Sequence, residues 1–175
     1  FRLALVDPKT GAIEEVPLSQ AAEGAYTAGG SLIFARMPRQ SSNSRFYKGG
    51  SVQQLWRFDG DGIEAIPLTR DYPGSSRQPN VLADGLVYFL TDRQDGMNVW
   101  SMNTDGSNLA QHTNYSDFDI QELASDGNQL IYRLGADLYT MTPGQEPQMV
   151  SIRLRSDIEQ SLTDWETSPF NWISD

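Results

Sequence analysis

The chain has 175 residues, of which 23 are acidic and 13 are basic, and its net charge is −10. This acidic balance argues against nucleic acid as a partner, because binding a phosphate backbone requires a basic surface. The chain has no cysteine and one histidine, which excludes disulfides and leaves a zinc site almost no ligands except carboxylates. We therefore expect neither a metal ion nor a cofactor. No apolar run approaches the roughly 20 residues of a membrane-spanning helix, so we expect no membrane partner.

The first residues have the pattern of the outer half of a small antiparallel sheet. Leu5-Val6 is apolar, Asp7 to Gly11 has the composition of a turn, and Leu18-Ser19 follows at a spacing of thirteen residues. The sequence starts at Phe1, in the middle of this pattern. We therefore predict a partial repeat over residues 1–20 and interpret the chain as a piece of a longer polypeptide.

Three further copies of the pattern follow along the chain. In each copy a glycine opens an apolar strand, a second strand ends in an aromatic residue, and a Leu-Thr pair or its replacement closes the unit thirteen residues later. The aromatic residues are Trp56, Trp100 and Tyr139, at intervals of 44 and 39 residues. A period of this size is typical of a four-stranded propeller blade. We therefore predict that the three aromatic side chains are equivalent core positions of successive blades.

The strands and turns between these positions favour the same architecture. Leu86 to Leu90 is apolar without alternation, so a strand made from it must be covered on both faces, as stacked blades would cover one another. Asp-Gly pairs such as Asp59-Gly60 and Asp105-Gly106 supply the positive φ of tight hairpin turns. The predicted fold class is all-β, a β-propeller of four-stranded antiparallel blades, of which this chain holds about three and a half. The predicted segments are a partial blade at 1–20, blades at 21–71, 72–117 and 118–154, and a linker or the start of another domain at 155–175.

Two segments interrupt this rhythm. Residues 36–51 form an insertion rich in Arg, Ser, Gly and Gln, and it ends in the basic and aromatic run Arg45 to Gly50. Loops that leave a rigid scaffold often carry binding residues. Beyond the last repeat, Ser156 and Glu159 match a capping box and predict a short helix.

Catalytic and metal-binding patterns are weak in this chain. A Ser-His-Asp site would have to use His112, which already has a structural explanation as part of a strand end in the repeat. The nucleophile motif G-x-S-x-G is absent from the sequence. Asp59 to Asp61 and Asn103 to Gly106 lack the later ligands of an EF-hand, so we interpret both as turns. We expect no catalytic residue and no metal ligand here.

The blade pattern resembles the PD40-type repeats shared by the translocation protein TolB, prolyl oligopeptidase-type propellers and tricorn proteases. The run Arg45 to Gly50, followed by Gln54-Leu55-Trp56, looks most like the first, six-bladed propeller of tricorn-type proteases. Val150 to Asp157 also resembles the segment by which that propeller passes into the next one. The resemblance implies a non-catalytic propeller of a large serine peptidase that filters or guides oligopeptides towards a catalytic site located elsewhere in the polypeptide.

The resemblance also implies substrate contacts and partners. Basic residues of such propeller loops can hold the C-terminal carboxylate of a peptide, which indicates Arg45 and Lys48 as substrate-binding residues. The alternative is that these two side chains only solubilise a long loop. The expected partners are oligopeptides or proteins and the other domains of the same polypeptide, in a homo-oligomeric parent protein.

Two other functions remain open from the sequence. One is a protein-binding propeller of the TolB kind, and the other is a propeller lid on a prolyl oligopeptidase-type hydrolase. The compartment is open between the cytoplasm and the bacterial periplasm, and the family resemblance favours the periplasm.

Overall fold

The computed structural model describes residues 2–39, 45–60 and 64–153. This part of the chain contains fourteen β-strands and no helix. A two-stranded sheet comes first, and three four-stranded sheets follow it, each antiparallel and with its strands in chain order. This is the predicted arrangement of one partial and three complete blades.

The elements divide into four sheets along the chain. The partial blade consists of β1 (Ala4–Val6) and β2 (Ile13–Glu15). Blade A consists of β3 (Ala22–Tyr26), β4 (Leu32–Ala35), β5 (Leu55–Phe58) and β6 (Ile66–Pro67). Blade B consists of β7 (Ser76–Val81), β8 (Val87–Thr91), β9 (Asn98–Met102) and β10 (Ala110–Gln111). Blade C consists of β11 (Ile120–Ser125), β12 (Leu130–Leu134), β13 (Asp137–Met141) and β14 (Gln148–Met149).

The first strand of each blade lies nearest the propeller axis. Strand β7 contacts both β3 and β11, whereas the last strands of the three blades make no comparable contact with one another in the described residues. Each first strand also carries a one-residue register shift, near Glu23 in β3, after Arg77 in β7 and after Ile120 in β11. Such bulges bend a strand and redirect its side chains. The three inner strands therefore share a distortion that recurs with the blades.

The core is a series of apolar layers between neighbouring blades. In β8, Val87 and Phe89 pack against the cluster of blade A, while Tyr88 and Leu90 pack against the cluster of blade C. All five residues of β8 are buried. The unbroken apolar run in the sequence is thus explained by a strand with a neighbour on each face.

The repeated aromatic residues occupy one register position in all three blades. Each lies on the third strand and is paired with an aromatic residue of the second strand; the pairs are Trp56–Phe34, Trp100–Phe89 and Tyr139–Tyr132. All three repeat side chains are half-buried and pack against a core cluster. The indole Nε1 groups of Trp56 and Trp100 are buried without a hydrogen-bond partner in the structure. These positions therefore border the interblade layers instead of filling their centres.

A threonine clasp explains the spacing of thirteen residues. In blade A the Thr69 hydroxyl accepts a hydrogen bond from the backbone N–H of Leu55 at 3.0 Å and donates one to Gln54 Oε1 at 3.2 Å. Blade B repeats this arrangement at 2.9 Å for both bonds, with Thr113, Val99 and Asn98. The clasp joins the start of the third strand to the end of the fourth.

Blade C lacks the clasp. Ile152 stands where the other blades have threonine, and its side chain is 59% exposed. Asp137 occupies the place of the amide side chain and is exposed as well. The third copy of the repeat, which has Ile152 in place of threonine, is therefore also a blade with fewer closing contacts.

Several predicted features lie outside the described residues. These are the helix that begins at Ser156, the linker at 155–175 and residues 40–44 of the insertion. In the described part of the chain, no helix has the length and apolar content required to cross a membrane.

Candidate functional site

A cavity of about 160 Å³ lies between the insertion and the inner strands. The insertion contributes Arg39, Arg45, Phe46 and Tyr47 to its wall. The remaining charged groups are Arg77 of strand β7, Asp92 in the loop after β8, and Asp119 directly before β11. The cavity thus collects three guanidinium groups and two carboxylates near the propeller axis.

Arg45 fastens the insertion to the loops of blades B and C. Its Nε atom donates a hydrogen bond to Asp119 Oδ1 at 3.1 Å, and the two side chains form an ion pair. Its Nη2 atom donates to the carbonyl oxygens of Asp95 at 3.1 Å and Ser116 at 3.5 Å. The guanidinium also lies 4.7 Å from the ring centre of Phe46. Much of the hydrogen-bonding capacity of Arg45 is therefore used within the protein.

A glycine makes room for this contact. Gly96 has φ +141°, and a Cβ atom added there would lie 2.8 Å from Arg45 Nη2 and 2.9 Å from Asp119 Oδ1. From the sequence alone, the Asp95-Gly96 pair predicts a tight turn. The structure adds a second reason for glycine, because the arginine passes directly over the backbone.

Lys48 lies in a different environment from Arg45. Its side chain is exposed, and its ammonium group makes no hydrogen bond or ion pair with any residue that the structure describes. Lys48 does not line the cavity. The two residues predicted together thus differ: Arg45 is anchored, and Lys48 presents at the surface a positive charge that no described residue pairs with.

Arg77 is a charged residue of this site that the sequence did not reveal. Arg77 is only 4% exposed, and its Nη2 atom donates a long hydrogen bond of 3.4 Å to the carbonyl oxygen of Ile120. No carboxylate of the described residues lies within 4.0 Å of this guanidinium. Burial lowers the pKa of Arg77, the charge of Arg39 lowers it further, and Glu23, Glu122 and Asp119 act in the opposite direction.

The sequence hides Arg77 because its surroundings have the composition of a loop. Ser75 to Asn80 is a polar run that includes a proline. The available signal was the repeat period, which requires a first strand at this point of each blade.

Side chains of the bulged inner strands tie neighbouring blades together. Glu23 Oε2 in blade A accepts the backbone N–H of Gln78 in blade B at 2.9 Å. Gln78 Oε1 accepts in turn the backbone N–H of Leu123 in blade C at 2.9 Å, and Gln78 Nε2 donates to Glu122 at 2.7 Å. Glu23 and Gln78 both have positive φ, at 50° and 51°. The bulge therefore directs each side chain towards the next blade.

His112 has a serine partner, but the pair lacks the features of a nucleophilic site. His112 Nε2 lies 2.8 Å from Ser101 Oγ, and its ring centre lies 5.1 Å from that of Tyr88. Ser101 is only 2% exposed. Burial lowers the pKa of His112, while the Asp84 carboxylate raises it. Among the described residues no carboxylate is hydrogen-bonded to this imidazole, so the third member of a triad is missing there.

Metal binding finds no support in the described residues. Within the ranges 2–39, 45–60 and 64–153, no group of three or more His, Cys, Asp or Glu side chains is arranged to hold a metal ion.

Comparison with known proteins identifies relatives for most of the chain. Residues 1–147 match the model of the tricorn protease N-terminal beta propeller domain. Tricorn protease homolog 1 of Streptomyces coelicolor is 30% identical over 140 residues, which cover 79% of this chain and 13% of that protein. The tricorn protease of Thermoplasma volcanium is 30% identical over 97 residues, which cover 55% of this chain and 9% of that protein.

Solved structures show the same fold. The crystal structure of the tricorn protease aligns with a TM-score of 0.59 and 16% identity, covering 89% of this chain and 20% of that one. The structure of a putative TolB from Agrobacterium tumefaciens aligns with a TM-score of 0.51 and 16% identity, covering 85% and 73%. These likenesses confirm the β-propeller architecture.

The relatives are much longer than this chain, which spans 9% to 13% of the curated proteins that it matches. The match over residues 1–147 nevertheless includes the partial blade and most of blades A, B and C. The resemblance drawn from the blade repeats and the insertion is therefore confirmed: the chain belongs to the family of tricorn protease N-terminal β-propeller domains.

Proposed function

We propose that this chain is a non-catalytic propeller segment of a tricorn-type serine peptidase and that it guides oligopeptides towards a catalytic site elsewhere in the full-length protein. Family membership and the names of the relatives support a peptidase as the parent protein. The buried Ser101 beside His112 supports a non-catalytic role for the segment itself. The proposal includes oligopeptides and the other domains of a homo-oligomeric parent as partners.

One observation carries the peptide-guiding role. The end of the insertion is fixed by the hydrogen bonds of Arg45, and three residues later it presents the ammonium group of Lys48, which makes no hydrogen bond or ion pair with any described residue. A positive charge on a fixed segment suits the C-terminal carboxylate of a peptide, which accepts charge-assisted hydrogen bonds. In this proposal Lys48 contacts the carboxylate, and Arg45 contributes mainly by holding the segment in place.

The test compares peptides with free and blocked C-termini. The full-length protein is titrated with a short peptide as the free acid and as the C-terminal amide, and binding is measured by calorimetry. Lys48→Ala should weaken binding of the free acid by about tenfold, the size expected for one charged hydrogen bond, and leave the amide unchanged. Equal losses for both peptides, or no loss for either, would contradict this role.

The chain offers a matched control. Lys9 is an exposed lysine in the turn between β1 and β2, far along the chain from the insertion. Lys9→Ala removes the same charge from the protein, so it reports any general effect of net charge. It should leave the affinity for both peptides unchanged.

The alternative of a TolB-like protein-binding propeller receives less support. The similarity to the putative TolB has 16% sequence identity and shows the fold alone. No contact in the described residues favours that function over peptide guiding.

A further inference from the structure

The cavity beside the inner strands is lined by two arginines that make few hydrogen bonds with the described residues. Arg77 and Arg39 each make one long hydrogen bond of 3.4 Å, to the Ile120 carbonyl oxygen and to Gln121 Oε1. A guanidinium group has five N–H donors. Most of the donors of these two arginines therefore have no partner among the described residues.

One oxygen of each of the two cavity carboxylates is already engaged. Asp119 Oδ1 accepts hydrogen bonds from Arg45 and, at 2.9 Å, from the backbone N–H of Met97. Asp92 Oδ1 accepts hydrogen bonds from the backbone N–H of Ser75 at 2.8 Å and from a tyrosine hydroxyl at 3.0 Å. Neither carboxylate lies within 4.0 Å of Arg77. The acidic groups of the wall thus stabilise loops and do not pair with Arg77.

A buried guanidinium in this state favours an anionic ligand. Removing a charged group from water costs free energy that only a close partner with good hydrogen bonds offsets. The residue is 4% exposed and lines the cavity, and the bond from Nη2 to the Ile120 carbonyl oxygen is the one side-chain hydrogen bond that it makes with the described residues. A planar group with two acceptor oxygens would match the fork of the guanidinium.

We propose that this cavity is a subsite for an acidic side chain of the guided peptide, in which Arg77 and Arg39 hold an Asp or Glu carboxylate. This proposal rests on the proposed function and adds a second carboxylate contact to the one at Lys48. A volume of about 160 Å³ accommodates one such side chain. The rings of Phe46 and Tyr47 lie in the wall and offer apolar surface to its methylene groups. The site therefore selects peptides by composition and not by their terminus.

The experiment uses peptides in which only a side chain differs. Short peptides are acetylated and C-terminally amidated, so that they carry no terminal charge, and Glu is compared with the isosteric Gln at each internal position in turn. The full-length protein is titrated with each pair by calorimetry. At one position or more, the Glu peptide should bind about tenfold more tightly, because a hydrogen-bonded carboxylate replaces a neutral amide.

Variants connect this preference to the cavity. Arg39 is exposed, so Arg39→Ala keeps the fold and should remove most of the preference for Glu. Arg77→Lys keeps the buried charge but loses the bidentate fork, and it should reduce the preference as well. Arg70→Ala is the matched control, because Arg70 is an exposed arginine that does not line the cavity, and it should leave the preference unchanged.

The outcomes separate this proposal from the proposed function. Equal binding of the Glu and Gln peptides at every position would overturn the subsite, even where Lys48→Ala still distinguishes free acids from amides. A Glu preference that survives both Arg39→Ala and Arg77→Lys, in variants with unchanged circular dichroism, would overturn it too. Loss of the preference in Arg39→Ala alone supports the subsite even where the Arg77 variant does not fold.

Discussion

Blade B and blade C have the same strand order, but they are covered to different extents. In β8 of blade B every residue is buried, and Tyr88 is only 1% exposed. The cross-strand pairs with Trp100 and Tyr139 place Ile131 of blade C in the position of Tyr88, and Ile131 is 37% exposed. No described sheet covers that face of blade C. The comparison shows that the position in the stack, as much as the strand sequence, decides how much each apolar residue contributes.

The largest expected effect tests this difference in burial directly. Tyr88→Ala should lower the free energy of unfolding by about 3–5 kcal/mol, because it opens a cavity in the layer between blades B and C. In the isolated 175-residue chain, Ile131→Ala at the matched position of blade C should cost about 1 kcal/mol or less, since that side chain is partly in water there. Denaturant unfolding followed by tryptophan fluorescence gives both values. Equal losses would mean that the two faces are equally covered in the folded protein.

The threonine clasp provides the second test. Thr113→Val in blade B should cost about 1–3 kcal/mol, because it removes the hydroxyl that accepts from the backbone N–H of Val99 and one of the two hydrogen bonds that Asn98 Oδ1 accepts. Ile152→Val in blade C alters a residue outside any clasp and should change stability by less than about 0.5 kcal/mol. The same denaturant titration measures both. A Thr113→Val variant as stable as the parent would show that the clasp contributes nothing.

The third test concerns Gly96, in the turn of blade B that Arg45 contacts. Gly96→Ala should cost about 1–3 kcal/mol, because the new Cβ atom requires an unfavourable φ and displaces Arg45 from Asp119. Gly85→Ala in the same blade is the control: its φ is also positive, at +82°, but the added Cβ atom meets nothing within 4 Å. It should cost only about 1 kcal/mol. Limited proteolysis of the insertion should accelerate in the first variant and not in the second.

The smallest expected effect concerns pH. Burial lowers the pKa of His112 below its unfolded value, with Asp84 opposing the shift, so the folded state prefers the neutral imidazole. The stability that this contributes is present above the unfolded pKa of about 6.5 and is lost as the pH falls through the folded pKa. His112→Gln should reduce the loss of stability between neutral and mildly acid pH. Identical pH profiles for parent and variant would remove His112 as the cause. The hydrogen bonds from Ser107 lower the pKa of Asp105 below its ordinary value of 3.8, so Asp105 acts outside this window.

The repeat in the sequence predicted the sheets well because each blade is a local unit. The aromatic residues, the glycine turns and the closing threonine all lie within one blade, and their spacing is fixed by short-range strand pairing. The partner of Arg45 could not be predicted in this way. Asp119 lies 74 residues along the chain, and no local pattern encodes that distance.

The inner strands escaped prediction for a different reason. Ser76 to Val81 is polar because it faces the axis and neighbouring blades through hydrogen bonds, so neither alternation nor apolar content marks it as a strand. The positive φ of Gln78 is likewise unexpected, since glutamine has no special preference for that conformation. Arg77 was missed together with its strand.

The side-chain ties between inner strands give the stack of blades a direction. Glu23 in blade A accepts a backbone N–H of blade B, and Gln78 in blade B accepts one of blade C. Arg77 in blade B donates to a backbone carbonyl oxygen of blade C. In each of these ties the earlier blade supplies the side chain and its successor supplies the backbone group. Exchanging two neighbouring blades would therefore break these ties, because the two faces of a blade carry different hydrogen-bonding groups. The ties between the inner strands thus run one way along the chain, from side chains of one blade to the backbone of the next, in addition to the apolar layers that supply most of the cohesion.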